Sequence, residues 1–262
     1  MSPPKQTYRH IEVRSLDGDA LERLSNDMKL SLSREDMVEV QKYFNEANRE
    51  PTDVELEVIA QTWSEHCKHR IFGALIQHEV DGVKETVDGL FKTHIKEVTE
   101  GIWKNKPDFI LGAFVDNAGF VRLDDKVAVC LKVETHNHPS AIEPYAGANT
   151  GLGGVIRDIL GAGKGAKPVA SLDVFCFGSP NTKSEDIKAD DVLHPLGIMR
   201  GVVRGVRDYG NRMGIPTVSG AIQFDPAYIY NPLVFCGTAG TIPIGDIEKE
   251  VLPGHKIVAV GG

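Results

Sequence analysis

Along the first hundred residues apolar positions recur at helical spacing; beyond Pro107 they alternate as in strands. Ser33 and Asp36 are set as a helix start, and Met37, Val40, Phe44 and Ala47 follow at helical intervals. Pro51 and Thr52 end that segment and open the next, with Thr52 and Glu55 placed as a capping box. Leu56, Ile59, Ala60, Trp63 and Cys67 then form one stripe. A third helix is predicted over 85–103, from Val87, Leu90, Phe91, Ile95, Val98 and Ile102. Residues 1–31 are polar, strand-like only at 8–13, and read as an extended arm.

Past Pro107, strands are predicted at 109–115 and 120–123, about the turn Asp116-Asn117-Ala118-Gly119. The clearest strand is 126–135, in which Val127, Val129, Leu131 and Val133 alternate with Ala128, Cys130, Lys132 and Glu134. A Gly-rich loop at 147–154 leads to a helix at 155–160. Further strands are predicted at 169–177, 217–224, 233–242 and 256–260, a loop at 178–191, and a helix through Ile198, Val202, Val206 and Met213 that ends at Gly214. The class is α+β or α/β: a helical lead-in followed by mixed elements. The ending in V-G-G, a strand meeting glycines, leads us to expect a piece of something longer.

Composition narrows the function. The 262 residues are 41% hydrophobic and 25% charged, the balance of a globular chain and not of a disordered one. With 29 Lys and Arg against 37 Asp and Glu, the net charge of −8 argues against a general nucleic-acid binder. No apolar run reaches a membrane span, and the first thirty residues carry no secretory h-region, so a cytoplasmic location is expected. Cys67, Cys130, Cys176 and Cys236 form no C-x-x-C pair and read as free thiols. A zinc site from His66, Cys67 and His69 lacks the usual second ligand pair. The 27 glycines cluster at 147–165, 197–220 and 237–262, which points to tight turns and close backbone approach.

Three segments carry chemistry. K-V-E-T-H-N-H-P at 132–139 ends the best strand. There Lys132, Glu134 and, if the strand persists, His136 share a face, so that a cation, a carboxylate and an imidazole project together. For Lys132 and Glu134 alone a solvated ion pair is the plainer reading. Two histidines flanking Asn before Pro139 move the balance toward function. G-A-N-T-G-L-G-G-V-I-R-D at 147–158 offers glycines for close approach to an anion, a helix start, Arg157 for a phosphate and Asp158 for a hard cation. It is neither a P-loop nor a dinucleotide fingerprint, and such a turn also serves close packing. T-W-S-E-H-C-K-H-R at 62–70 places His66 on the flank of its helix, where a satisfied core histidine is the plainer reading. Lys68, His69 and Arg70 suit a helix C-terminus without any ligand.

Taken in order, W-S-E-H-C at 63–67, E-T-H-N-H-P-S-A-I-E-P-Y at 134–145 and G-G-V-I-R-D-I-L at 153–160 resemble the phosphoribosylformylglycinamidine synthase family of purine biosynthesis. The resemblance covers most of 35–262. It implies an α+β chain: an arm at 1–31, a helical linker domain with an insertion at 32–106, and at 107–262 the N-terminal ATP-binding domain of an aminoimidazole-ribonucleotide-synthetase-like (PurM-like) fold. It implies an ATP-dependent carbon–nitrogen ligase that turns formylglycinamide ribonucleotide, ATP and glutamine-derived ammonia into formylglycinamidine ribonucleotide, ADP and phosphate. By the same resemblance His66 and His136 are catalytic, His136 as proton acceptor. Lys132 and the position of His69 contact ATP. Glu134 and Asp158 hold magnesium, and Thr135, His136, Asn137, His138 and Arg157 contact the substrate. Partners implied are a glutaminase subunit or domain, the remaining synthetase domains, and a second copy across the sheet, with no nucleic acid and no membrane.

This chain departs from the family at several points. His69 stands where Tyr is frequent, Arg70 where Lys is, and Asn149 where Ala is; residues 71–105 exceed compact members. Alone, the 262 residues are expected to be inactive. Two other readings are a non-catalytic magnesium–nucleotide module of the same fold and a His/Asp metal-dependent hydrolase.

Overall fold

The computed structural model describes residues 8–64, 69–189 and 192–260. The chain divides into two compact units, Met1–Ile102 and Trp103–Gly262.

The first unit opens with three helices: α1 (Gly18–Asp27), α2 (Arg34–Glu46) and α3 (Asp53–Trp63). The helix start predicted at Ser33 and the capping box predicted at Thr52 both form, and Ser33 and Asp36 also close a box. Ser33 Oγ accepts from Asp36 N while the Asp36 carboxylate accepts from Ser33 N, and Thr52 and Glu55 do the same for α3. Val13, Leu21, Met37, Val40, Phe44, Leu56 and Ala60 make the core. The arm expected over 1–31 is corrected here: α1 lies within it. Asp17 caps the helix by accepting from Ala20 N at 2.8 Å, and Leu21, Leu24 and Met28 supply its apolar side. Ser25, buried, bonds Leu32 through both its donor and its acceptor and ties α1 to the approach to α2. The helix α3 closes at Trp63, and His66 and Cys67 lie outside the described residues.

A short helix, α4 (Arg70–Gly73), precedes a hairpin of β1 (Leu75–Val80) and β2 (Val83–Asp88). The helix predicted over 85–103 is therefore corrected at its start, where 85–88 belong to β2. Asp81 and Gly82 both hold positive φ, the two-residue turn that matches strand twist, and Gly89 breaks the backbone again. Helical structure begins at Leu90 and runs through a π turn (Lys92–Lys96) into α5 (Glu97–Asn105), so the remainder of the predicted helix forms.

The second unit is a six-stranded sheet in the order β3-β4-β5-β8-β6-β7. Its strands are β3 (Ile110–Gly112), β4 (Gly119–Arg122), β5 (Val127–Thr135), β6 (Lys167–Phe177), β7 (Thr217–Phe224) and β8 (Leu233–Pro243). All neighbours are antiparallel except β6 and β7. Between strands run α6 (Asn137–Ile142), α7 (Pro144–Gly161) and α8 (Pro195–Arg212). Leu152, Val155 and Ile156 of α7 and Ile198, Val202 and Val206 of α8 pack on Phe175, Phe177, Val234 and Cys236 of the sheet. On β5 it is the small Ala128 and Cys130 that are buried in the core beside Ile159 of α7; Leu131 and Val133, on the other face, are exposed. Cys130, Cys176 and Cys236 are buried free thiols. The strand expected at 256–260 does not form: those residues are exposed and pair with no strand among the described residues.

The Gly-rich loop expected at 147–154 is the largest correction. It is the N-terminal half of α7, and none of its glycines has positive φ. They are there for close approach. A Cβ on Gly147 would sit 2.6 Å from Ser140 N, so only glycine lets α6 fold back on α7.

Candidate functional site

The site forms where β5 runs out against α7. Residues two apart on a strand share a face, so Lys132 and Glu134 both reach toward the helix. Lys132 Nζ lies 3.2 Å from Glu134 Oε1 and 3.1 Å from Asp158 Oδ2 on α7. Burial works against the Lys132 charge, but the bonds to Asp158 and Glu134 outweigh it and hold the pKa above the ordinary lysine value. Asn117, in the turn before β4, donates from Nδ2 to the other Asp158 oxygen at 2.8 Å. Sequence alone marks Asn117 as a turn residue only. A polar side chain in an Asx-rich turn gives no sign of an acceptor 41 positions away. Its neighbour Asp116 accepts from Gly163 N at 2.9 Å and from Lys249 Nζ at 2.6 Å, which fastens the turn to the far end of α7.

His136 follows directly. Its N–H donates to Val234 O at 2.8 Å, so the chain stays against β8 one residue past the strand. The ring side packs on Gly151, where a Cβ would come within 2.9 Å of the His136 Cβ. The carbonyl accepts from Ser140 Oγ at 2.6 Å. Its Nδ1 is buried and has no hydrogen-bond partner among the described residues. Such an atom costs free energy unless something bonds it, and a reacting ligand is one such partner.

The other sequence-predicted residues fall into three groups. Asn137 Oδ1 accepts from Val234 N at 2.8 Å, so half of that amide is used to anchor α6 and its Nδ2 remains. Thr135 and His138 are exposed beside it, and Arg157, also exposed, donates from Nε to Gly153 O. His69 belongs to the first unit, in a left-handed conformation just before α4. Arg70 next to it pairs with Asp36 at 2.7 Å and holds that carboxyl below its ordinary value. His66 lies outside the described residues.

Among the described residues no three His, Cys, Asp or Glu side chains gather as a metal cluster. The donor set is two carboxylates drawn to one positive charge. That fits magnesium, which takes one or two carboxylates and leaves its other positions to phosphates and water. Among the described residues no helix is long and apolar enough to cross a membrane.

Comparisons with known proteins bear on the family of the chain. Residues 115–242 match the family described as AIR synthase related protein, N-terminal domain, and residues 21–70 match the formylglycinamide ribonucleotide amidotransferase linker domain. The phosphoribosylformylglycinamidine synthase subunit PurL of Thermoplasma volcanium is 39% identical over 257 residues, 97% of this chain and 30% of the relative. That of Thermoplasma acidophilum is 38% identical over the same span. The chain thus spans about 30% of the length of these relatives. Among solved structures, Thermotoga maritima PurL complexed with ADP is 34% identical over 77% of this chain and 26% of that one, at a TM-score of 0.49. The same protein complexed with FGAR is 35% identical over 77% and 25%, at 0.48.

Proposed function

We propose, from the premise that this chain belongs to the phosphoribosylformylglycinamidine synthase family and corresponds to its N-terminal portion, that it contributes one wall of an ATP-dependent amidine-forming active site. The reaction joins formylglycinamide ribonucleotide and ammonia at the cost of ATP. The amide oxygen attacks the γ-phosphorus and ADP leaves. Ammonia adds to the resulting imidate carbon, a proton passes to a base, and the C–O bond breaks to release phosphate. The observation that carries this reading is the convergence of Lys132, Glu134 and Asp158 at the end of β5, next to an imidazole with a buried open nitrogen.

In this reading Lys132 binds a nucleotide phosphate, and Glu134 and Asp158 would hold magnesium, which supplies neutralising charge to the phosphates when bound. His136 takes the proton from attacking ammonia, a role suited to an imidazole held by its own backbone and by Gly151. Thr135, the free Nδ2 of Asn137, His138 and Arg157 line the approach for the phosphorylated substrate. His66 and His69 are assigned to catalysis and to the nucleotide. Ammonia comes from a glutaminase subunit or domain, and the remaining synthetase domains supply the rest of the site, so the 262 residues alone are not expected to turn over. Pairing with a second copy across the open sheet face and a cytoplasmic location belong to the same proposal. Support comes from relatives that carry the synthase name and from Thermotoga structures complexed with ATP and with FGAR. They favour synthase over a silent nucleotide module or a hydrolase.

The test is His136→Ala in the intact synthetase supplied with ammonia. The rate of ATP-dependent amidine formation should fall by a factor of about 10² or more, with magnesium and ATP binding retained. An unchanged rate removes His136 from the mechanism.

A further inference from the structure

We propose that Lys132 is a resident surrogate for the divalent cation: it holds Glu134 and Asp158 together until the metal arrives, and metal entry releases it toward the nucleotide phosphates. The proposal rests on the assignment of those two carboxylates as cation ligands. The two come from different elements, one from β5 and one from α7, and the Lys132 ammonium bonds both at 3.2 and 3.1 Å. Asn117 occupies the far oxygen of Asp158, so the oxygen that meets Lys132 is the one left for a cation. Without a positive charge between them, carboxylates brought to a common point repel.

Magnesium accepts carboxylate oxygens at about 2.1 Å and carries two charges. A divalent charge on those oxygens repels an ammonium bonded to the same atoms, so metal entry weakens both ion pairs. Lys132 has the means to leave: its charge sits on a flexible four-carbon stem, and the side chain is 29% exposed. Metal that binds alone must break two ion pairs and leave an ammonium unpaired beside a divalent charge. A phosphate that accepts the released ammonium removes that penalty. Metal and nucleotide therefore favour each other through one side chain, and neither carboxylate is left uncompensated at any stage.

Magnesium chloride alone, titrated into the full-length protein by calorimetry, tests this. Lys132→Met should bind the metal roughly three- to tenfold more tightly than wild type, the scale of two partly exposed ion pairs that no longer need breaking. A second measurement needs no variant. Acylation of Lys132 by a succinimidyl ester, read by mass spectrometry, should rise several-fold in wild type as magnesium saturates. The proposal is overturned if Lys132→Met binds magnesium equally or less tightly, or if acylation stays flat while the metal saturates a site that Asp158→Asn destroys. Magnesium binding that survives both Glu134→Gln and Asp158→Asn overturns the ligand assignment and this proposal together.

Discussion

Asp158 has two oxygens with different neighbours, and Asn117 decides which is which. The amide of Asn117 bonds Oδ1 at 2.8 Å and so turns Oδ2 toward Lys132. Asn117 is exposed, so Asn117→Ala should change stability by no more than about 0.5 kcal/mol. Its effect should show in metal use. With Asp158 free to rotate, the magnesium concentration for half-maximal activity of the intact enzyme should rise roughly three- to tenfold, the worth of one charge-assisted hydrogen bond at a partly exposed site. Saturating magnesium should restore the full rate. A rate that stays low at saturation would assign Asn117 a different role, one in direct contact with the reacting groups.

Among the elements, those with a local cause were legible in the chain. The helix start at Ser33, the Thr52–Glu55 capping box, the alternation along β5 and the stop of α8 at Gly214 depend on neighbours within four residues, and each formed as predicted. What failed depended on partners far off. The glycines of 147–154 read as a loop because glycine disfavours helix locally, whereas packing against α6, β5 and α8 requires a helix with no side chain in its way. The Asp81-Gly82 turn was a local signal for a hairpin, and helical spacing beyond it obscured it. For the site, strand parity brought out Lys132 and Glu134, but only the long helix explains how Asp158 reaches them. This view of α7 has a test at Gly151. An alanine there gains about 1 kcal/mol of helix propensity and loses about 1–3 kcal/mol to overpacking against His136, so net stability should fall by less than about 2 kcal/mol. The displaced imidazole should nonetheless cost the intact enzyme at least about tenfold in kcat. Gly197→Ala on α8, whose Cβ meets nothing within 4 Å, should leave kcat unchanged. Equal losses in the two variants would dissociate Gly151 from His136.

Across the whole molecule, carboxyl groups pull stability in opposite directions with pH. Glu55, bonded by Arg49 and by the Thr52 cap, is lowered to about 2, and Asp36 is lowered by Arg70. Groups depressed in this way stabilise the fold above their unfolded values, and that contribution is lost as the pH falls toward 2. Asp173 does the reverse. It is 4% exposed on β6, and burial raises its pKa despite hydrogen bonds from Thr217 Oγ1 at 2.7 Å and from the Cys236 thiol. Its Oδ1 has no partner among the described residues. A carboxyl with a raised folded-state pKa takes up a proton on folding. Its charge therefore penalises the fold at pH values above both pKa values, and the penalty fades as the pH drops through the folded one. Asp173→Asn keeps the shape and an acceptor for Thr217 but removes the charge. Its urea midpoint should exceed that of wild type at about pH 8, and the two midpoints should converge by about pH 4, near the unfolded carboxyl value of about 3.9. If Asp173→Asn is instead less stable than wild type by the same margin at both pH values, the carboxylate of Asp173 is held charged in the fold by a partner, and its burial does not disfavour ionisation.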